Sequence, residues 1–180
     1  AKFFTKGTWN DEVLSLNQTK SILGFCAIGI VFHHLAQKTC APWLNQEVIV
    51  HGLDFFLNLG HLFVALFFFY SGFGLFKSLK SKENYLKGFL GKHLTPIIIL
   101  YLLINCEFYY VGKFFSPYTW YINAIVILYI LFYCSFRFVK NDLASICLVA
   151  LGILIYSFVC NWLVLGIWWY NTAFLFVVGI

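Results

Sequence analysis

Long apolar runs alternate with short polar segments along this chain of 180 residues. Asp, Glu, Lys and Arg are absent from 21–37, 55–76, 114–136 and 143–180. The run 93–106 is also free of charge and resumes after Glu107. A helix that crosses a bilayer needs about 20 apolar residues, because it rises about 1.5 Å per residue through a core about 30 Å thick. The pattern therefore predicts helices that span a membrane.

The last apolar run is too long for one span. As a single helix, residues 143–180 would measure about 57 Å, so the run must contain a turn. The sequence predicts an all-α, multi-spanning transmembrane helical bundle with about six spans: 21–37, 55–76, 93–112, 118–137, 143–160 and one that starts at 167 and continues beyond 180. The polar segment 1–20 has no apolar core of a signal peptide. Because 168–180 is too short to cross, we expect a longer protein, truncated here at its C-terminus.

Composition supports the bilayer as solvent. The chain is 62% hydrophobic and 11% charged, whereas soluble domains contain about 45–50% apolar and about 25% charged residues. A water-soluble fold of this size cannot bury so much apolar surface. The sequence thus predicts a protein of the cell membrane that contacts membrane lipid, and no nucleic-acid partner is expected.

The distribution of Lys and Arg predicts the orientation, because short cytoplasmic loops are enriched in these residues. With the N-terminus in the cytoplasm, ten of the twelve cations fall inside and only Lys38 and Lys113 fall outside. The ten are Lys2, Lys6, Lys20, Lys77, Lys80, Lys82, Lys87, Lys92, Arg137 and Lys140. Residues 1–20 are then a cytoplasmic segment that precedes the membrane domain 21–180.

Polar groups inside a bilayer are costly and tend to be functional. In the predicted orientation, His33 and His34 lie at the outer end of the first span, and Glu107 lies near the outer end of the third. Histidine serves as a general base or nucleophile near neutral pH. Neighbouring helical residues point about 100° apart, so only one of the two histidines is expected to face a given cavity. Histidines that only make structural hydrogen bonds are the common alternative.

Other features are less specific. The lysines of the second inner loop fit either simple topology or the binding of a polyanion such as a coenzyme A thioester. Gly72 and Gly74 fit either close helix packing or a break near a cavity. The sequence contains no HExxH motif and no CxxC spacing, so no metal site is predicted.

Four segments in this order resemble acyltransferase family 3, the membrane O-acyltransferases that modify bacterial surface glycans. They are SILGFCAIGIVFHH at 21–34, GHLFVALFFFYSGFGLF at 60–76, FLGKHLTP at 89–96 and TWYINAIVILYILF at 119–132. The second contains the FFxxSG pattern, which ends in Ser71 and Gly72. The family's arginine in the first helix aligns with Leu23, and Lys20 lies one turn earlier.

The resemblance implies a fold of about ten spans, of which this chain covers the first half. It also implies transfer of an acyl group, often acetyl, from acyl-coenzyme A to a hydroxyl of a surface carbohydrate or similar acceptor, without a permanently bound cofactor. His34 would be the general base or acyl carrier, with His33 as its neighbour. Substrate-side residues would be Lys20, Ser71, Gly72, Lys92, His93 and Glu107.

Two alternatives remain at this stage. A transporter or flippase for a lipid-linked sugar or small solute would line a path with polar residues. The middles of 21–32, 97–104 and 124–132 are instead strongly apolar, which favours the transferase. An inactive truncated relative is the other alternative, because of Leu23.

Overall fold

The computed structural model describes residues 14–45, 49–110 and 119–180. The side chains of residue 104 and of 107–110 are outside this description, as are 1–13, 46–48 and 111–118. The predicted N-terminal segment therefore lies mostly outside the described residues. Glu107 belongs to a helix by its backbone, but its side chain is not described.

The described residues are helical and include no strand, which confirms the predicted fold class. Five long helices are α1 (Leu16–Thr39), α2 (Gly60–Ser81), α3 (Phe89–Tyr110), α4 (Trp120–Phe138) and α5 (Asp142–Trp162). Four of them, α1, α2, α4 and α5, are long and apolar enough to cross a membrane. The remaining one, α3, is apolar over Phe89–Leu103.

The sixth predicted span is different. Residues Ile167–Trp169 form one turn of 3-10 helix, and α6 covers only Leu175–Gly179. The Tyr156 hydroxyl of α5 donates a hydrogen bond to the Trp169 carbonyl, at 2.9 Å. A continuous helix over 167–180 was therefore the wrong prediction, because hydropathy alone does not register turns inside an apolar run.

The second predicted span is shifted along the chain. Its first part, Asp54–Asn58, is a separate 3-10 helix, and α2 begins only at Gly60. At the other end, α2 continues past Lys77 to Ser81. The ammonium groups of Lys77 and Lys80 lie over the rings of Phe73 and Phe76, at 5.4 and 5.3 Å. Lysine stems can follow an apolar surface in this way, so the first charge does not mark the helix end.

The chain divides into two compact units, residues 1–67 and 68–180, and the division falls inside α2. In the first unit, the ring of Phe63 packs directly on Gly29 of α1. Segment 49–58 folds back on the end of α1, where the Val50 amide donates to the Thr39 carbonyl at 2.8 Å. This folding brings the loop histidine and the α1 histidines into one unit.

In the second unit, a short turn joins α4 to α5, and the Asn141 side chain accepts from the Ala144 amide at 3.0 Å to cap α5. The core contains the fully buried rings of Phe68, Phe89, Phe132 and Phe176. An ion pair joins Lys80 at the end of α2 to Asp142 at the start of α5. The end of α2 and the α4–α5 turn therefore lie at the same end of this unit.

Candidate functional sites

His33 connects two elements of the first unit. Its Nδ1 lies 2.8 Å from the carbonyl oxygen of Phe56 in the 3-10 helix. A backbone carbonyl only accepts, so Nδ1 carries the proton. The ring also lies against Gly60, where a β-carbon would overlap it. His33 is half-buried and holds the start of α2 against α1.

His34 points to a different side, as the helical spacing predicts. Its ring is exposed, and its Nδ1 lies 3.1 Å from Oε1 of Gln37 one turn later. The two imidazole centres are 5.4 Å apart. With Nδ1 donating to the amide oxygen of Gln37, the Nε2 atom of His34 is an acceptor on an accessible surface. An accessible acceptor nitrogen is one of the features that a general base requires.

A histidine–carboxylate pair forms in the loop before α2, and the sequence interpretation did not assign it. Nδ1 of His51 lies 2.8 Å from Oδ1 of Asp54, and the Gly52 amide donates to Oδ2 at 2.8 Å. The hydrogen bond from Gly52, with that from His51, lowers the pKa of the Asp54 carboxyl. The spacing of three residues with an intervening glycine was the available signal. Three of the five histidines thus belong to this end of α1 and the following loop.

His93 lies in the second unit, inside an aromatic group on α3 and α4. Its Nε2 lies 3.0 Å from the hydroxyl of Tyr85, in the turn before α3. The His93 ring centre is 4.6 Å from that of buried Phe89 and 6.1 Å from that of Tyr129. Burial raises the pKa of the Tyr85 phenol, and the Lys82 ammonium lies 6.0 Å above its ring.

Ser71 continues this polar set into the middle of α2. Its hydroxyl lies close to the phenols of Tyr121 and Tyr129 on α4. We call Tyr85, His93, Tyr129, Ser71 and Tyr121 the hydroxyl row. The sequence analysis did not single out its three tyrosines, because they are spread over residues 85–129 and only the tertiary structure brings them together.

Gly72 has a packing role. A β-carbon there would overlap the carbonyl oxygen of Phe176, so the backbones of α2 and α6 touch. Nothing lies within 4 Å of a β-carbon at Gly74. The sequence left open whether Gly72 permits close helix packing or a break near a cavity, and the structure supports close packing.

The remaining predicted substrate residues are distributed over both units. Lys20 is exposed in α1 and lies fourteen positions before His34, which is about 21 Å along the helix. Lys92 is exposed next to His93. The structure therefore brings Ser71 and His93 together through Tyr129, whereas Lys20 and His34 lie at opposite ends of α1.

Within the described part of the chain, no group of three or more His, Cys, Asp or Glu side chains is arranged to hold a metal ion. All six cysteines are free thiols. No family model, curated protein or solved structure matches this chain. From its own residues, the chain is a helical membrane protein with a histidine-rich end in its first unit and a hydroxyl row in its second.

Proposed function

We propose that this protein is a membrane O-acyltransferase that moves an acyl group from acyl-coenzyme A to a hydroxyl of a surface carbohydrate or a similar acceptor. The proposal starts from the family resemblance of the four sequence segments. The observation that carries it is the geometry of His34, whose Nδ1 is held by Gln37 while Nε2 is exposed. In this interpretation the cell membrane is its location and the N-terminus is cytoplasmic.

The two adjacent histidines have different roles in this proposal. His33 is committed to the carbonyl of Phe56 and to packing on Gly60, so it supports the site. His34 is exposed and hydrogen-bonds locally to Gln37, so its ring is accessible to a substrate hydroxyl. General bases contribute about 10²–10⁴-fold to rate.

The chemistry uses His34 as the base. Nε2 takes the proton from the acceptor hydroxyl while the hydroxyl oxygen attacks the thioester carbonyl. The carbon–sulfur bond breaks, the coenzyme A thiolate leaves, and the proton on His34 is transferred to that sulfur. The products are an ester and free coenzyme A thiol, and His34 returns to its starting state.

The family resemblance assigns Lys92, His93 and Ser71 to the donor, and these residues lie in the second unit. Lys92 is exposed and offers an ammonium group for a phosphate. His93 and Ser71 belong to the hydroxyl row, whose neutral donors and acceptors suit the amide groups of a coenzyme A arm. Lys20 is exposed near the start of α1, and its long stem would let the ammonium group follow an apolar surface to water.

The test uses the full-length protein in membranes, with acetyl-coenzyme A as donor and release of free thiol as the readout. We expect His34→Gln to lower acceptor-dependent thiol release by at least about 100-fold. His61→Gln is the matched control, since His61 is an exposed histidine in the first turn of α2. It should retain the wild-type rate.

Three results would contradict parts of the proposal. Full activity of His34→Gln would remove His34 as the base. Loss of activity in His51→Gln with retention in His34→Gln would move that role to the His51–Asp54 pair. Acceptor solute uptake without any thiol release would replace the transferase with a transporter.

A further inference from the structure

The turn between α4 and α5 presents cations beside exposed apolar side chains. We call residues 137–143 the α4–α5 turn. Arg137 and Lys140 are exposed. Phe138 and Leu143 next to them are 80% and 70% exposed, although both are large and apolar. In a membrane protein, cations beside exposed apolar side chains fit the boundary between lipid tails and headgroups.

The carboxylate in this turn is already neutralised. Asp142 pairs with Lys80 from the end of α2. The described residues contain one other ion pair, between His51 and Asp54, so neither Arg137 nor Lys140 is paired with a described carboxylate. The only other acidic side chain described at this end is Glu83, which is exposed in the turn before α3.

The helix ends add no net charge to this turn, because α4 ends at Phe138 with the negative end of its dipole. The α5 helix of 21 residues begins at Asp142, two residues after Lys140, and the positive end of its dipole offsets the negative end of α4. Asn141 caps this end with its side-chain oxygen and brings no charge. The positive charge of the turn therefore comes from Arg137 and Lys140, which have no carboxylate partner among the described residues.

We propose that the α4–α5 turn binds the headgroup of an anionic phospholipid. Arg137 would hold the phosphate through its planar guanidinium, which matches phosphate oxygens with two parallel hydrogen bonds. Lys140 would supply the second charge, and Phe138 and Leu143 would contact the first carbons of the acyl chains. This apolar pair favours a lipid over a soluble polyanion, which would leave both side chains exposed. The site shares no residue with the proposed transferase site.

The test measures thermal stability of the purified, delipidated full-length protein in a neutral detergent. We expect dioleoylphosphatidylglycerol to raise Tm by about 5 °C. Dioleoylphosphatidylcholine and soluble glycerol phosphate should each give much smaller shifts. The double variant Arg137→Gln/Lys140→Gln should lose the shift given by the anionic lipid. Its Tm in the zwitterionic lipid reports whether it is still folded.

The matched control is Lys77→Gln/Lys87→Gln, which removes the same charge from exposed lysines at the same end of the unit. It should keep most of the shift. An equal loss in both double variants would mean diffuse attraction and would overturn the local site. An equal shift with glycerol phosphate alone would show that the turn binds a free phosphate and would overturn the lipid. The single variant Phe138→Gln should reduce the shift and leave any weak effect of glycerol phosphate unchanged.

Discussion

The carbonyl oxygen of Phe176 occupies the position that a β-carbon on residue 72 would need. Gly179 of α6 makes the same kind of close contact with the backbone of α2. A β-carbon at Gly179 would overlap the carbonyl of Phe69 and would lie 2.9 Å from the amide nitrogen of Phe73. Two glycines therefore let the backbones of α2 and α6 touch. In a bilayer such close approach stabilises helix pairs through van der Waals contact, since lipid tails provide no hydrophobic driving force.

Replacing Gly72 should disturb this contact. We expect Gly72→Ala to lower the free energy of unfolding by about 1–3 kcal/mol, because the obstacle is backbone and has no rotamer to change. Gly74→Ala, two residues later, adds its methyl group to open space. It should be neutral or slightly stabilising, because alanine favours helix over glycine. Thermal unfolding in detergent measures both, and equal effects would contradict the α2–α6 contact.

Adjacent histidines should differ in what they stabilise. His33→Ala leaves the carbonyl of Phe56 without its hydrogen bond, which should cost about 1–3 kcal/mol. His34→Ala removes an exposed side chain and should change stability by less than about 0.5 kcal/mol. Detergent unfolding curves of the two variants provide the comparison. If His34→Ala is the more destabilising change, the assignment of structural and reactive roles is reversed.

The loop before α2 should respond to acid. Because the pKa of Asp54 is lowered by Gly52 and His51, its ionised form is preferentially stabilised in the folded loop. The contribution is therefore present above the unfolded pKa of about 3.9 and is lost as pH falls through the lower folded pKa. Hydrogen exchange of the Gly52 amide should accelerate over that window relative to amides elsewhere. In Asp54→Asn this acid-dependent acceleration should be absent, and its persistence would show that another group titrates.

The hydroxyl row should make Tyr129 more sensitive to substitution than a nearby tyrosine. Tyr129→Phe removes the phenol that lies beside the Ser71 hydroxyl and should cost about 1 kcal/mol. Tyr133→Phe, one turn later on α4, is the control, since Tyr133 stacks on Phe89 through its ring at 5.7 Å and keeps that contact. The stability of the Tyr133→Phe variant should be nearly unchanged. Adding Ser71→Ala to Tyr129→Phe should cost less than the two single changes combined, because both remove the same polar contact.

The candidate sites could be predicted only in part. The divergence of His33 and His34 follows from helical geometry, and the sequence interpretation stated it. Which of them is committed to packing depends on Phe56 and Gly60, which are more than twenty residues away along the chain. The Asp54–His51 pair is local, yet its formation depends on the backbone at Gly52, where φ is +135°. A pattern of residue types contains no such information.

The sequence by itself determined the helical membrane class and the approximate position of five long helices. The reason is that the energy of apolar residues in water or lipid depends on the residues alone, and length sets which runs can span. Tertiary structure decided the rest. It divided 167–180 into turns and the short α6, gave Gly72 its contact with Phe176, and joined Ser71 to Tyr121 and Tyr129. These features depend on which helix faces meet, and that choice is made by contacts between residues far apart in the chain.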